Sequence, residues 1–343
     1  MKPICPKLDY TEQDKQFYKE YLKSRMPEQI FDFHIHLNLP EHVPEISEER
    51  IHSDWAFESG LLLPVETAKA YAGRMFPDSL YKMAGFPWPI KEADLTANNE
   101  YLKEERKKGN ALPFMAVAPW HEESYIEEQL PYFAGFKPYP DLVAGEKGAD
   151  ISIFSFMPHW QLRILDRQKK TVVLHLPRKG RIADKDNIRE LLELRQQYPD
   201  IQIVIAHLGR SFNPCYLEAA LEEMKEEAGG FFWDTAAVLN PDVYKTAFEK
   251  LPEERILYGT DAPIMLWHGK RRWTYDTYIN LEREPFSWNH HEEGVQKEGQ
   301  YTLFIYEQLK NIFDTAEMLE KDREFIRKLF CKNAEHLLFC GRE

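Results

Sequence analysis

Apolar residues fall in short runs along this chain, and the runs alternate with amphipathic stretches. Thr11 to Arg25 is polar with Phe17, Tyr21 and Leu22 at helical spacing and predicts a leading helix. IFDFHIH (30–36) predicts a strand, LPVETAKAYAGRMF (63–76) a helix, and LYKMAGFP (80–87) a weaker strand ended by proline. NNEYLKEERKKG (98–109) reads as a helix closed by Gly109, followed by the apolar run ALPFMAVAP (111–119) and the helix HEESYIEEQL (121–130). The alternation continues with strands at 133–140, 171–177, 201–209, 231–237 and 255–263, and helices at 158–170, 184–198, 215–229 and 241–251.

Eight strands alternating with helices imply a parallel sheet covered by helices, and the repeat number predicts closure into a (β/α)8 barrel of the α/β class. Continuous apolar runs such as VVLHL and IVIAHL suit strands buried on both faces. An open doubly wound sheet is the competing architecture, but no glycine-rich G-x-G-x-x-G turn follows the first strand. Residues 38–62 after the first strand and 264–298 after the eighth are longer than a barrel needs. They are expected to be loops covering the C-terminal mouth, the second a lid without regular structure. With residues 1–29 as a leading helical segment and 299–343 as C-terminal helices, the expectation is one domain across 1–343.

Composition narrows the partners. A formal net charge of -13 argues against an extended nucleic-acid surface, and the one dense basic run, Lys270-Arg271-Arg272, is too short to change that. No apolar run is long enough to span a membrane, and MKPICPKLDYTEQDK lacks the apolar core of a secretory signal. Cys5, Cys215, Cys331 and Cys340 form no C-x-x-C pair and no regular framework. The expectation is a cytoplasmic protein acting on a small molecule, without nucleic-acid or membrane partners; self-association into a homo-oligomer is compatible with this composition.

The unusual polar residues lie where barrels place chemistry. His34 and His36 share one face of the first strand; Lys137, His175, His207 and Asp261 end the fourth, fifth, sixth and eighth apolar runs. Any one of these has an ordinary structural explanation. Six aimed at one mouth would be costly to bury without a ligand, so the pattern predicts a metal site.

The motifs DFHIH (32–36), GFKPYP (135–140), VVLHLP (172–177), IVIAHLG (203–209) and YGTDAP (258–263) resemble, in order, those of the amidohydrolase superfamily, most closely its amidohydrolase-2 branch of TIM-barrel metal-dependent hydrolases. The resemblance runs from about residue 30 to the C-terminus and implies His34, His36, His175 and Asp261 as ligands of one divalent ion, Zn²⁺ ahead of Mn²⁺ or Fe²⁺. It implies Asp261 as the base that takes a proton from an activated water and His207 as the group facing the negative charge on a carbonyl oxygen. The expected reaction is hydrolysis of an amide, ester or lactone. The alternative is non-oxidative decarboxylation, known among relatives that sometimes carry an acidic residue where Asp32 stands; a second alternative is an inactive barrel used for binding.

In binuclear members of the superfamily a lysine like Lys137 is carbamylated and bridges two metals; the motif set here fits better with one metal and a free amine that meets an anionic substrate. Arg178 and Arg210, in HLPR and HLGR, are expected to bind a substrate carboxylate or phosphate. His268, His290 and His291 in the last long loop are lesser candidates for substrate contact. Trp267, Trp273 and Trp288, in the same loop, would suit a flat ligand.

Overall fold

The computed structural model describes residues 5–43, 45–53, 55–145, 148–289 and 291–340. Strands β1 (Gln29–His36) and β2 (Leu80–Phe86) pair in parallel. β3 (Met115–Ala116), β4 (Gly135–Lys137), β5 (Thr171–Leu174), β6 (Gln202–Ile205), β7 (Phe232–Asp234) and β8 (Ile256–Leu257) follow as one parallel ladder in chain order. Backbone hydrogen bonds join the two ladders at both seams. Leu112 and Phe114 donate to Met83 and Gly85 between β2 and β3; Phe33 donates to Tyr258, Asp261 to His34 and His36 to Ala262 between β8 and β1. The sheet therefore closes into the expected barrel. Most regular strands are shorter than the apolar runs that predicted them, because the ladder ends where each chain turns off to build the mouth.

Two apolar layers follow from the closure. Ile30, Ile35, Val172, Leu174, Ile203, Ile205 and Ile256 face the surrounding helices, while Phe31, Phe33, Phe86, Phe114, Val173, Val204, Phe232 and Leu257 fill the interior. Cys331, Ala334, Leu337 and Leu338 belong to that interior cluster as well. The C-terminal helical segment thus plugs the end of the barrel opposite the mouth, and Asn333 fixes it by donating to Glu253 O at 2.7 Å and Ile256 O at 2.8 Å.

β1 carries a bulge. Asp32 pairs with Met83 and Ile35 with Gly85, so three steps on β1 match two on β2. The extra residue lets Phe33 remain in the interior while His34 turns into the mouth. Asp32 holds the bulge to the segment after β8 and to β2, accepting from Thr260 N at 2.9 Å, Thr260 Oγ1 at 2.6 Å and Tyr81 Oη at 2.7 Å. Burial still pushes its carboxyl up to about 6. Asp32 therefore serves the seam and does not line the cavity.

The long segment after β8 differs from its expectation. Residues 264–298 contain an antiparallel hairpin, β9 (Gly269–Trp273) and β10 (Tyr278–Glu282), instead of an irregular lid. Its tip is tied to the barrel side by Asn213 Nδ2, which donates to Thr277 O at 3.1 Å, and by Tyr216 Oη, which donates to Asp276 O at 3.3 Å. At its base, buried His268 bonds Asp14 of the leading helix and Glu284, both at 2.9 Å. The segment after β1 holds the short helices Glu48–His52 and Trp55–Ser59.

Two predictions follow from these contacts. Leu337→Ala removes a buried side chain from the plug and should cost about 2–5 kcal/mol in denaturant unfolding; a loss under about 0.5 kcal/mol would mean that the plug is not part of the cooperative core. For the Asp14–His268 pair, burial alone would raise Asp14, but hydrogen bonds from His268 and Thr11 hold its carboxyl at about 2, and burial alone would lower His268, but Asp14 and Glu284 raise it. A depressed carboxyl stabilises above its unfolded value and loses that as pH falls; a raised imidazole stabilises at low pH and loses that as pH rises through its folded value. The wild type should exceed His268→Gln in stability by more at pH near 5.5 than at pH near 9, and an equal gap at both would dismiss the charged pair.

Candidate metal centre and substrate cavity

The mouth of the barrel holds a cavity of about 190 Å³. His34, His36, His175, His207 and Asp261 line it, with Trp88, Tyr139, Phe212 and Tyr278 as flat walls and Arg181 and Arg210 beside them. Of the residues singled out from sequence, five converge here, together with Arg210.

The histidines are locked in one tautomer from behind. His34 Nδ1 lies 2.9 Å from Asp234 Oδ2, His36 Nδ1 donates to Pro87 O at 3.3 Å, and His207 Nδ1 donates to Ala236 O at 2.9 Å. A carbonyl can only accept, so His36 and His207 must carry their proton on Nδ1, and the Asp234 carboxylate asks the same of His34. All three leave an Nε2 lone pair. His34 Nε2 lies 3.4 Å and His36 Nε2 3.3 Å from Asp261 Oδ1, and Nε2 of His34 and Oδ1 of Asp261 are buried without a hydrogen-bond partner. A tetrahedral ion at about 2.0–2.1 Å from each donor separates its ligands by roughly 3.3 Å. Acceptors of one kind, at that spacing and with no proton between them, fit a divalent cation. Metal-compatible geometry joins His34, His36 and Asp261. His175 lines the same cavity with its ring 5.2 Å from that of His207.

A second such group joins His34, His207 and Asp234, but there His34 and Asp234 already bond each other. Asp234 was not singled out from sequence, although it ends the seventh strand as His207 ends the sixth. It accepts from His34, from the backbone N–H of His207 at 2.8 Å and from that of Ala236 at 3.1 Å. Burial raises its carboxyl against the pull of the backbone hydrogen bonds it accepts and of the Lys137 charge.

The backbone is bent to make this site. His207, Leu208, Gly209 and Arg210 all have positive φ, between 47° and 72°, and Asp261 has φ 60°. Such conformations cost of order 1–3 kcal/mol each for residues with a side chain and persist where surrounding contacts enforce them, here the Asp234 and His34 hydrogen bonds. Gly259 permits the seam to close: a Cβ there would stand 2.7 Å from the Cβ of His34.

Electrostatics separates the remaining candidates. Burial holds His207 down to about 4 against the pull of Asp261, and burial with the Lys137 charge lowers His34. Lys137 is buried beneath Phe86, its Nζ 4.2 Å from the ring centroid, and burial pulls it down to about 8 against the attraction of Asp234 and Asp261. Phe86 in turn packs 4.7 Å from the ring of His34, so Lys137 underlies the cavity without lining it. Arg178 departs from its expected place. Its guanidinium bonds Glu190 at 2.8 Å and Asn187 at 2.8 Å, a buried pair that braces the loop after β5 and leaves the cavity lining to Arg181 and Arg210. His268 and His291 are likewise engaged elsewhere, with Asp14 and Glu298; His290 lies outside the described residues. Trp88, stacked on His36 at 4.1 Å, takes the place expected of the later tryptophans.

A family model described as Amidohydrolase matches residues 32–340, and the chain belongs to this family, in its amidohydrolase-2 branch of TIM-barrel enzymes. Over 136 residues it is 26% identical to 6-methylsalicylic acid decarboxylase of Penicillium expansum; the match covers 36% of this chain and 40% of that protein. Among solved structures it is similar to 5-carboxyvanillate decarboxylase of Novosphingobium aromaticivorans, complexed with manganese (12% identity, TM-score 0.53, 90% of this chain and 96% of that one). It is also similar to 2,6-dihydroxybenzoate decarboxylase of Rhizobium (15% identity, TM-score 0.50, 91% and 99%). At those identities the structural likeness establishes the fold. Among the described residues no helix is long and apolar enough to cross a membrane.

Because Asp234 fixes the His34 tautomer without being needed as a ligand, Asp234→Asn should weaken metal affinity by about 10–100-fold in a chelator competition, with the fold retained. Unchanged affinity would remove Asp234 from the metal-binding unit.

Proposed function

We propose that this chain is a metal-dependent decarboxylase of a small planar carboxylic acid. The observation that carries the reading is the hydrogen bond from His207 Nδ1 to Ala236 O. In the hydrolysis expected from the sequence, His207 would add a donor to the cation in facing the oxyanion of a tetrahedral intermediate. His207 turns an acceptor to the cavity instead, and at about 4 it stays neutral near pH 7. Decarboxylation needs no such donor. It needs a held carboxylate, flat walls for the ring, and a proton delivered to carbon as the C–C bond breaks.

The residues supply these parts. His34, His36 and Asp261, with His175 beside them, would hold a divalent cation, which would supply positive charge to anchor the acid; Zn²⁺ and Mn²⁺ both suit the donors. Trp88, Tyr139, Phe212 and Tyr278 sandwich the ring. Asp261, a ligand through Oδ1, would relay a proton from solvent water through Oδ2 to the ring carbon, while the bonding pair stays on that carbon and CO₂ leaves. His207 Nε2 accepts from a neighbouring hydroxyl, and Arg210, its Nη1 donating to Leu176 O and Arg178 O at 3.0 Å, adds positive charge to the cavity lining. The curated relative that decarboxylates 6-methylsalicylic acid supports the same chemistry. Lys137 acts from below as a free amine and a source of positive charge.

Hydrolysis is the second reading, favoured by Asp261 Oδ1 lying 3.3–3.4 Å from both imidazoles, where a carboxylate takes a proton from water. The reaction run in deuterated, ¹⁸O-labelled water separates the two. Release of CO₂ with deuterium on a product carbon is expected; ¹⁸O in a newly formed acid or alcohol would reverse the assignment. Elemental analysis should give about one metal per chain. Two metals together with a mass increase of one CO₂ would instead place a carbamate on Lys137.

A further inference from the structure

Positive charge gathers around the Phe212–Tyr278 wall of the cavity without matching negative charge. Arg181 lines the cavity with its guanidinium 5.4 Å from the centroid of Phe212 and 4.5 Å from that of Tyr216, and its Nη1 donates to Arg210 O at 3.4 Å. Arg271, from β9, lies behind the wall, 4.1 Å from the Tyr278 centroid and 5.3 Å from that of Phe212. It is buried, donates from Nε to Asn280 and from Nη1 to Ala237 O, both at 2.9 Å, and its Nη2 has no partner. Among the described residues no carboxylate lies within ion-pair distance of either arginine.

Burying the Arg271 guanidinium without a counter-ion is expensive, and with the half-buried Arg181 on the same wall the positive charge there calls for an anion from outside. The carboxylates at the floor, Asp261 and Asp234, are occupied with the histidines and with the cation that these would hold. One substrate carboxylate at the cation leaves the arginine wall unanswered.

We infer that the Phe212–Tyr278 wall is a second anion subsite and that the substrate is a small planar diacid. One carboxylate sits at the histidine cluster and a second acidic group accepts from Arg181, while Arg271 holds Tyr278 and adds charge from behind. The hairpin β9–β10, which supplies Arg271 and Tyr278, is then the element that selects the diacid. This inference rests on the reading above that an acid binds at the cation.

Calorimetric titration of the metal-loaded protein with benzoate, benzene-1,3-dicarboxylate and benzene-1,4-dicarboxylate tests it. At least one diacid should bind about 10–100-fold more tightly than benzoate, the value of a charge-assisted hydrogen bond. Arg181→Met should erase that advantage with metal content and benzoate affinity retained, and Arg181→Lys should keep part of it. Benzoate binding with no gain for either diacid would overturn the second subsite alone, as would a diacid advantage that survives Arg181→Met. Failure of all three acids to bind would overturn the acid-at-cation reading along with it.

Discussion

The Nδ1–H of His34 is held by the Asp234 carboxylate in a part of the barrel that water does not reach. In that setting neither group can be left without a partner, and the bond decides which nitrogen of His34 faces the mouth. The same carboxylate grips the backbone of His207 and Ala236 and so enforces the left-handed turn that carries Arg210 to the cavity. Ligand chemistry, ring orientation and the path of the loop after β6 all depend on this one buried acid. The strain in that loop is what rigid placement of a lone pair costs.

Much of this was legible in the sequence, for a physical reason. Strands of a parallel barrel are buried on both faces, so a histidine or aspartate that ends an apolar run stands out, and His34, His36, His175, His207 and Asp261 can be read as one mouth from the sequence alone. The number and order of strands followed from the same apolar runs. Asp234 obeyed the same rule but sat in an aromatic run, FFWD, that reads as ordinary core. The bulge in β1 could not be read, because it shows only in the pairing of Asp32 and Ile35 with β2.

The arginines show where sequence proximity fails. Arg178 and Arg210 occupy matching places after His175 and His207, yet one is spent on Glu190, a helix away in sequence, and the other lines the cavity. Arg181, three residues beyond Arg178, is the side chain that arrives there. Arg271 was hidden in a basic triplet whose composition suggests a solvated surface; antiparallel pairing in the hairpin turns Arg271 inward while Arg272 faces out to Glu292. Alternation along a strand, once the strand is known, separates two neighbours that charge alone makes identical.

The plug formed by Cys331, Ala334, Leu337 and Leu338 has a bearing on how the protein comes into being. These side chains share the interior with Phe31 and Phe33 of β1. A ribosome delivers the first strand long before it delivers the plug, so during synthesis the lower half of the barrel interior stays open, its aromatic rings without their last neighbours. The nascent chain carries that surface uncovered while every residue between β1 and the plug is made, and the step that seals it waits until the tunnel has released residues 331–338.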